Sequence, residues 1–237
     1  MNFQKGFKDG IPIGLGYLSV SFTFGMMAAR GGLTIAQAVF ISMTNVTSAG
    51  QLAGLNLMLA SAPMLEVALT QFIINLRYAL MSLSLSQKLD GSMTTPRRML
   101  FAFCNTDEVF AVASGQKGPV GRDYLYGLIT APFIGWTLGT LLGAAAGTLL
   151  PDMLRDALGV AIYGMFIAIV VPPAKHNNAV RAAVVLAAAL SCAMYYLPGL
   201  NKISSGFSII ICAVAVSALC AKLFPIPDDA EKEGENA

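Results

Sequence analysis

An arginine inside an otherwise apolar run is the residue whose chemistry can be argued most directly from the sequence. Arg77 lies within the run Met64–Ser86, two residues after Asn75. An arginine at the centre of a bilayer costs roughly 3 kcal/mol on insertion scales, so it must face a polar cavity, a carboxylate or a bound anion. A permanent ion pair with a neighbouring helix is the structural alternative to a functional site, and both interpretations stay open.

Two adjacent acids form the second chemical feature. Asp107 and Glu108 interrupt the short apolar stretch Leu100–Ser114. Adjacent helical residues point about 100° apart, so one acid can face the interior while the other faces water or a helix end. The alternative is helix capping, because acids favour the first turn of a helix. Glu66 cannot pair with Arg77, since eleven helical residues span about 16 Å, and we expect it to be interfacial.

A polar break in the second apolar run supplies the remaining candidates. The run Ile35–Ala60 contains Thr44-Asn45-Val46-Thr47-Ser48-Ala49-Gly50-Gln51 in its middle. Asn, Thr, Ser and Gly favour caps and turns over helix interiors, so we predict two half-helices, in a re-entrant hairpin or a broken span. Half-helix ends, a guanidinium and carboxylates can together hold both ends of a zwitterion. The predicted substrate-binding residues are Asn45, Ser48, Gly50, Gln51, Asn75 and Arg77, and the predicted ion-coupling residues are Asp107 and Glu108.

The composition indicates the solvent in which these residues act. Of 237 residues, 56% are hydrophobic and 12% are charged, about half the charged fraction of a soluble domain. We predict an all-α, polytopic transmembrane helical bundle, because helices satisfy their own backbone groups in lipid. The seven long apolar segments are Ile11–Ala29, Ile35–Ala60, Met64–Ser86, Leu125–Leu150, Leu154–Val171, Val180–Leu197 and Gly206–Phe224. We therefore predict three parts of the chain: a cytoplasmic N-terminus (1–10), a transmembrane permease domain (11–224) and a polar acidic tail (225–237).

Lysines and arginines predict the orientation, because basic loops stay in the cytoplasm. The basic residues placed there are Lys5, Lys8, Lys88, Arg97, Arg98, Lys117, Arg122, Lys175, Arg181 and Lys222. The chain must then cross an even number of times before Lys88, although three apolar runs precede it. We therefore expect Ile35–Ala60 not to cross fully. In the alternative it crosses, Leu100–Ser114 supplies a further crossing, and the loop containing Lys88 breaks the rule.

Small residues predict how some of the helices pack. Gly135, Gly139, Gly143 and Gly147 recur at every fourth position, which lets two helix backbones approach closely. Lys8-Asp9 and Arg122-Asp123 each precede a glycine by the same interval and each open an apolar run. This echo suggests a two-half repeat of the kind found in transporters.

Several classes of function are disfavoured by the residues present. The net charge of +2 is spread between apolar runs, which is no nucleic-acid footprint. The four cysteines form no CxxC pair and the single histidine lies in a loop, so we expect no metal site and no cofactor. HExxH, GxSxG and P-loop motifs are absent from the sequence. We therefore expect no enzyme and no catalytic residues, and active transport would draw on an ion gradient or another subunit.

The motifs taken together resemble the AzlC-like family of branched-chain amino acid exporters, also called the LIV-E family. The resemblance covers about Phe7 to Pro225. It rests on residues 6–12, Phe24-Gly25, Ser48-Ala49-Gly50-Gln51, Asn75-Leu76-Arg77-Tyr78, Thr106-Asp107-Glu108-Val109-Phe110 and Tyr163–Ala168. It implies a multi-pass permease of the bacterial cytoplasmic membrane that exports valine, leucine, isoleucine and sometimes methionine. It also implies a separate, small AzlD-like membrane subunit as partner.

The sequence therefore predicts an amino acid exporter driven by the proton gradient. Arg77 would meet the substrate carboxylate directly or through Asn75, and Asp107 or Glu108 would bind the ammonium or carry the proton. The rival from another class is a non-transporting scaffold or sensor in which Arg77 and Asp107 form a fixed bridge. A third hypothesis keeps transport and changes the substrate to another small zwitterion or an organic anion.

Overall fold

The computed structural model describes residues 2–147 and 170–225, together with residues 153 and 167. Within these residues the chain forms nine named α-helices, a short 3-10 helix at Leu200–Lys202 and no named strand. The helices are α1 (Phe3–Arg30), α2 (Ile35–Thr44), α3 (Ser48–Leu59), α4 (Met64–Ser86), α5 (Thr95–Ala102), α6 (Asp107–Ser114), α7 (Arg122–Ala146), α8 (Asn178–Tyr196) and α9 (Ser205–Leu223).

The predicted all-α polytopic bundle is confirmed. Five of the described helices are long and apolar enough to cross a membrane: α1, α4, α7, α8 and α9. The predicted second span is two shorter helices. The predicted segment Leu154–Val171 and the tail 225–237 lie almost entirely outside the described residues.

Helices α1 and α7 pack side by side and run in the same direction. Gly6 of α1 lies against Tyr124, and Gly25 lies against Thr140, so the contacts advance together along both helices. Gly135 and Gly143 bring the α7 backbone against the α1 backbone. The predicted role of the glycine ridge in helix packing is therefore confirmed. We call the side on which α1 and α7 both begin the N-terminal side.

This close approach predicts a sharp difference between two glycines of α1. A Cβ at Gly14 would lie 2.6 Å from the carbonyl oxygen of Ala131, whereas a Cβ at Gly16 would meet nothing within 4 Å. We expect Gly14→Ala to lower the free energy of unfolding by about 1–3 kcal/mol, as overpacking does. The matched control Gly16→Ala should leave it nearly unchanged. Thermal unfolding of both variants in detergent measures the difference, and equal melting temperatures would contradict the packing.

The polar break predicted in the second apolar run is present. Asn45, Val46 and Thr47 are not helical, and they separate α2 from α3. A turn of four residues joins the end of α1 to α2, and the Leu59 side chain at the end of α3 lies beside Gly31. Both ends of this pair of helices therefore lie at the side where α1 ends. It forms a re-entrant hairpin, as the positive-inside argument predicted, and we call it the first hairpin.

A second hairpin, α5–α6, enters from the N-terminal side. Leu89 pairs with Val120 just before α7 begins, and Ser92 Oγ accepts a hydrogen bond of 2.9 Å from the Arg122 backbone N–H. At the other end of the hairpin, Lys5 of α1 donates to Gln116 Oε1 at 2.7 Å. Both ends therefore lie on the N-terminal side, and each helix has only eight residues. The alternative in which Leu100–Ser114 crosses the membrane is excluded by this arrangement.

The order of elements repeats with opposite orientation. Helix α1 leaves the N-terminal side and is followed by a hairpin from the far side, whereas α4 returns and is followed by a hairpin from the N-terminal side. Span-plus-hairpin units of opposite direction are the pattern of inverted repeats in transporters. The repeat predicted from Lys8-Asp9 and Arg122-Asp123 instead relates α1 to α7, which the structure shows to be parallel neighbours.

Glu66 lies in the first turn of α4, near the end of that helix, and another part of the protein covers it; its place at the membrane interface stays a prediction. Its residue is only 3% exposed, and its carboxylate accepts hydrogen bonds from the Ser204 hydroxyl and, at 3.0 Å, from the Gly206 N–H. Glu66 therefore satisfies a backbone donor in the first turn of α9, which would otherwise be left unpaired. The contact also places the start of α9 beside the start of α4. Residues 204–206 of the same chain cause this burial, and no feature near Glu66 in the sequence indicates it.

Candidate functional site

The tips of the two hairpins meet near the middle of the long helices. Val46 and Ser48 of the first hairpin and Thr106 of the second line one small cavity with Tyr17 and Trp136. Tyr17 is fourteen residues into α1, and Trp136 is fourteen residues into α7. Both tips therefore lie roughly 21 Å along helices that start on the N-terminal side, at a rise of 1.5 Å per residue.

The acidic pair sits in the first turn of α6, where the sequence allowed for capping. Thr106 caps the helix by accepting from the Val109 N–H at 3.5 Å, and its backbone is extended. Asp107 and Glu108 therefore occupy the positive end of the helix dipole, which favours acids. The two carboxylates diverge, but both meet a neighbouring helix, where one was expected to face water or a helix end: Asp107 contacts α4, and Glu108 contacts α1.

Arg77 forms an ion pair with Asp107. Its Nη1 lies 2.7 Å from Asp107 Oδ2, and its Nη2 donates to the Tyr78 hydroxyl at 3.1 Å. The Tyr78 hydroxyl in turn donates to Thr47 Oγ1 at 3.2 Å, so Arg77 is linked to both hairpin tips. The side chains of Arg77 and Asp107 keep 45% and 41% of their surface exposed. The pair therefore has an open side. Because charges at mid-membrane need polar surroundings, a polar group or water must cover that side.

Glu108 bonds to a tyrosine that the sequence did not single out. The Tyr17 hydroxyl donates to the Glu108 carboxylate and lies 2.6 Å from Thr106 Oγ1. The Tyr17 ring stands edge-on to the Trp136 ring, with centroids 5.1 Å apart, a favourable geometry for an aromatic pair. The second hairpin tip is thereby held against α1 and α7.

Gln51 belongs to a buried polar network and lies away from the open side of Arg77. Its Oε1 accepts a 3.0 Å hydrogen bond from Trp136 Nε1, and its Nε2 donates to Ser42. The Ser42 hydroxyl is in turn hydrogen-bonded to the Thr140 hydroxyl, with 2.6 Å between the two oxygens. Because Gln51 is 1% exposed and both its side-chain oxygen and its side-chain nitrogen are hydrogen-bonded here, its role in this conformation is to hold the first hairpin against α7.

The structure separates Asn75 from Arg77. Asn75 Nδ2 donates to Gln71 Oε1 at 3.2 Å, and Gln71 donates to the Gly50 carbonyl at 2.7 Å, so Asn75 faces α3. Asn75 and Arg77 are two positions apart on α4, so their side chains point about 200° apart around the helix axis. Of the predicted binding residues, Ser48 lines the cavity at the tips, Asn45 ends α2 at the first tip, and Gly50 and Asn75 lie on the α3–α4 contact.

The cavity between the tips is too small for an amino acid in this conformation. The cavity has a volume of about 10 Å³, which is roughly the room for one water molecule. The polar groups of the two tips therefore lie close together with little space between them. Passage of any solute between them requires the tips to separate.

A sequence model of one protein family, described as AzlC protein, matches residues 12–150, which is more than half of the chain. The chain belongs to the AzlC family. It is 27% identical over 196 residues to the inner membrane protein YgaZ of Escherichia coli strain K12, with 80% of each chain covered. It is 34% identical over 184 residues to an uncharacterized membrane protein of Archaeoglobus fulgidus, covering 77% of this chain and 80% of the relative. No solved structure matches.

The AzlC match includes both hairpins and the whole of α4 and α7. The resemblance drawn from the motifs is therefore confirmed, and AzlC proteins are a membrane transport family, not an enzyme family. The motif at Tyr163–Ala168 lies in the part of the chain where the structure describes only residue 167.

Three aromatic residues where the hairpin tips meet were not among the predicted site residues: Tyr17, Tyr78 and Trp136. Tyr17 and Trp136 look like ordinary members of apolar runs. One signal was present, because Trp136 is the single tryptophan and sits next to the first glycine of the ridge on α7. Tyr78 was part of a motif, but its contact with Thr47 depends on the first hairpin returning to the middle of α4.

Proposed function

We propose that this AzlC-family protein exports branched-chain amino acids, driven by the proton gradient across the inner membrane of a bacterium. The observation that carries the proposal is the Arg77–Asp107 ion pair where the hairpin tips meet, with nearly half of each side chain open. An accessible guanidinium at mid-membrane suits the carboxylate of a small zwitterion. The N-terminal side would be cytoplasmic, because the basic residues Lys88, Lys117 and Arg122, which flank the second hairpin, lie there.

Competition for Arg77 supplies a mechanism. In this conformation Asp107 is the carboxylate bonded to the guanidinium. The carboxylate of an arriving amino acid would displace it, because both bind the same planar group of donors. Asp107 would then be free to accept the ammonium of the same substrate. The Arg77–Asp107 ion pair, which links the tips, would then break only when a substrate carboxylate replaces Asp107 on Arg77.

The coupled proton would be carried by Glu108. Its carboxylate bonds to the Tyr17 hydroxyl on α1, on the opposite side of the tip from Arg77. Protonation would remove the negative charge of Glu108, so that the Tyr17 hydroxyl would donate to a neutral carboxyl and the contact would weaken. The second hairpin could then move away from α1. The proton gradient would thus act on the same tip that Asp107 ties to α4.

The small AzlD-like subunit is part of the proposal. The resemblance implies it, and α4 carries an exposed apolar surface on which lipid or such a subunit can pack. The residues of that surface include Leu65, Phe72, Leu80 and Leu83, all more than 60% exposed. Co-purification of the two chains from one membrane would support the assignment, and a fully active chain made alone would contradict it.

The direct test is efflux of L-leucine from loaded bacterial cells that make this chain together with its small subunit. We expect faster efflux than from cells without the chain, and we expect an uncoupler of the proton gradient to abolish the difference. Competition by valine, isoleucine, methionine, alanine and aspartate then defines the substrate. Competition by aspartate alone would move the function to organic anions.

The scaffold or sensor hypothesis is kept because the ion pair it predicted is formed in the structure. A fixed bridge requires one positive and one negative charge, but either of the two positions can carry either sign. It therefore predicts that substituting either residue lowers the amount of the protein in the membrane. Efflux divided by that amount should be the same in the variants as in the unsubstituted protein. Efflux normalised to the amount of protein separates the two hypotheses.

A further inference from the structure

A cavity of about 200 Å³ lies between the second half of α4 and helix α5 of the second hairpin. Its wall is almost entirely apolar and includes Leu85, Leu89 and Phe101. Met99 and Ala102 also line it, and both are exposed, so the cavity is open on the outer surface of the helices. Because the solvent around that surface is lipid, the open side meets acyl chains.

The size of the cavity suits part of an acyl chain. Its volume of about 200 Å³ equals that of about six or seven water molecules, at roughly 30 Å³ each. It lies below the range of about 300–1,000 Å³ that encloses drug-sized ligands. An acyl chain does not have to be enclosed, because the rest of the lipid continues into the bilayer through the open side.

The polar residues of the wall lie at its two ends. Arg98 is in the first turn of α5, on the N-terminal side. Ser82 and Asn105 lie at the deep end near the hairpin tip, where Asn105 Nδ2 donates to Ser82 Oγ at 3.1 Å. The cavity therefore has a cation at the membrane surface and an apolar wall that leads toward the middle of the membrane. A phospholipid of the leaflet on the N-terminal side has its groups in the same order.

The guanidinium of Arg98 is positioned to receive an anion. Its Nε donates to the Met93 carbonyl at 2.8 Å, which fixes the group at the start of α5. Within the described part of the chain, its two Nη atoms have no hydrogen-bond or ion-pair partner. The same turn contains Arg97 and no acid, although the positive end of a helix disfavours cations. A phosphate group can bind the two free nitrogens together and offset this charge.

We propose that this cavity binds an anionic phospholipid of the leaflet on the N-terminal side. Its phosphate lies on Arg98, and one acyl chain lies along Leu85 and Phe101. Arginines beside gaps between membrane helices favour anionic head groups. A free phosphate ion would use Arg98 alone, whereas a lipid also fills the apolar wall. The inference goes beyond the proposed function, because it does not depend on what the chain transports. The lipid would contact both α4 and the hairpin that the proposed mechanism moves.

Lipid binding to the full chain, purified in a mild detergent and freed of lipid, tests the proposal. The chain is titrated with dioleoyl phosphatidylglycerol and, separately, with dioleoyl phosphatidylcholine, and bound lipid is counted by native mass spectrometry. The two lipids share their acyl chains and differ in net charge. We expect phosphatidylglycerol to bind roughly tenfold more tightly, because only this lipid brings an uncompensated negative charge to Arg97 and Arg98. Equal affinities would overturn the proposal, and this comparison needs no variant to fold.

Two matched pairs of variants locate the lipid. Arg98→Gln should weaken phosphatidylglycerol binding roughly tenfold, whereas Arg122→Gln, on the same side but paired with Asp123, should change it less than about twofold. Ala102→Phe fills the cavity and should weaken binding roughly tenfold or more, since several CH₂ groups lose their apolar contact. Ala111→Phe, exposed on α6 and outside the cavity wall, should change it less than about twofold.

Three results would overturn the assignment. Equal effects within the arginine pair would remove the phosphate from Arg98. Equal effects within the alanine pair would remove the acyl chain from the cavity. Displacement of bound phosphatidylglycerol by inorganic phosphate alone would make Arg98 a site for a free anion instead of a lipid. None of these results bears on efflux, so the proposed function is tested separately.

Discussion

Arg77→Ala is expected to lower L-leucine efflux roughly 30-fold or more while the chain still reaches the membrane. Losing the charge-assisted hydrogen bonds from the guanidinium to a substrate carboxylate costs about 2 kcal/mol, and each 1.4 kcal/mol is a factor of ten. The loss should be in transport because the guanidinium bonds Asp107 here and would bond the substrate during the cycle. Efflux per amount of protein in the membrane is the measurement.

The control for Arg77→Ala is an arginine with no role in the site. Arg181 lies near the start of α8 and bonds Asn178 on its own helix, so Arg181→Ala should leave efflux unchanged. Arg77→Lys keeps the charge and loses the planar pair of donors, and we expect it to recover less than about a tenth of the efflux. Full efflux with Arg77→Ala would remove Arg77 from the mechanism.

Exchanging the two charges gives the sharpest distinction from a structural bridge. In Arg77→Asp combined with Asp107→Arg, an ion pair can form again with its partners reversed. A scaffold should recover abundance and every function that depends on abundance. An exporter should recover abundance but not efflux, because the cation would now project from the hairpin tip instead of from α4. Recovery of efflux by the double variant would favour the structural interpretation.

Glu108→Gln is expected to uncouple transport from the proton gradient. The amide cannot lose a proton, so the variant stays in the uncharged form at every pH. Efflux against a concentration gradient should fall to the background, whereas exchange of labelled for unlabelled L-leucine should stay within about twofold. Both are measured in proteoliposomes that contain the chain and its small subunit, with an acidic or an alkaline outside medium.

Two variants serve as controls for Glu108→Gln. Tyr17→Phe keeps the ring against Trp136 and removes the hydroxyl that bonds Glu108, so it should weaken coupling less than Glu108→Gln does. Asp123→Asn removes an exposed acid at the start of α7 that pairs with Arg122, and it should leave coupling intact. Gradient-driven efflux by Glu108→Gln at the wild-type rate would assign the proton to another group.

The class of fold and the membrane environment followed from composition, because apolar runs of about 20 residues have few alternatives to helices in lipid. The position of the first hairpin break followed from local chemistry, since Asn45 and Thr47 favour caps over helix interior. The helix start at Asp107 and Glu108 was one of two alternatives that the sequence left open, and it rested on the preference of acids for the first turn of a helix. Counting charges against crossings then favoured a hairpin over a span, although that argument depends on the whole chain.

What the sequence determined by itself was that an arginine within an apolar run, a helix break and two acids exist and need polar partners. The tertiary structure decided which of them meet. Asp107 reaches Arg77 only because two hairpins enter from opposite sides, and Asn75 is turned away because α3 packs on its face of α4. Tyr17 joins Glu108 only because α1 and α7 lie parallel on a ridge of glycines. These are contacts between residues some 20 to 120 positions apart, which local residue preferences cannot specify.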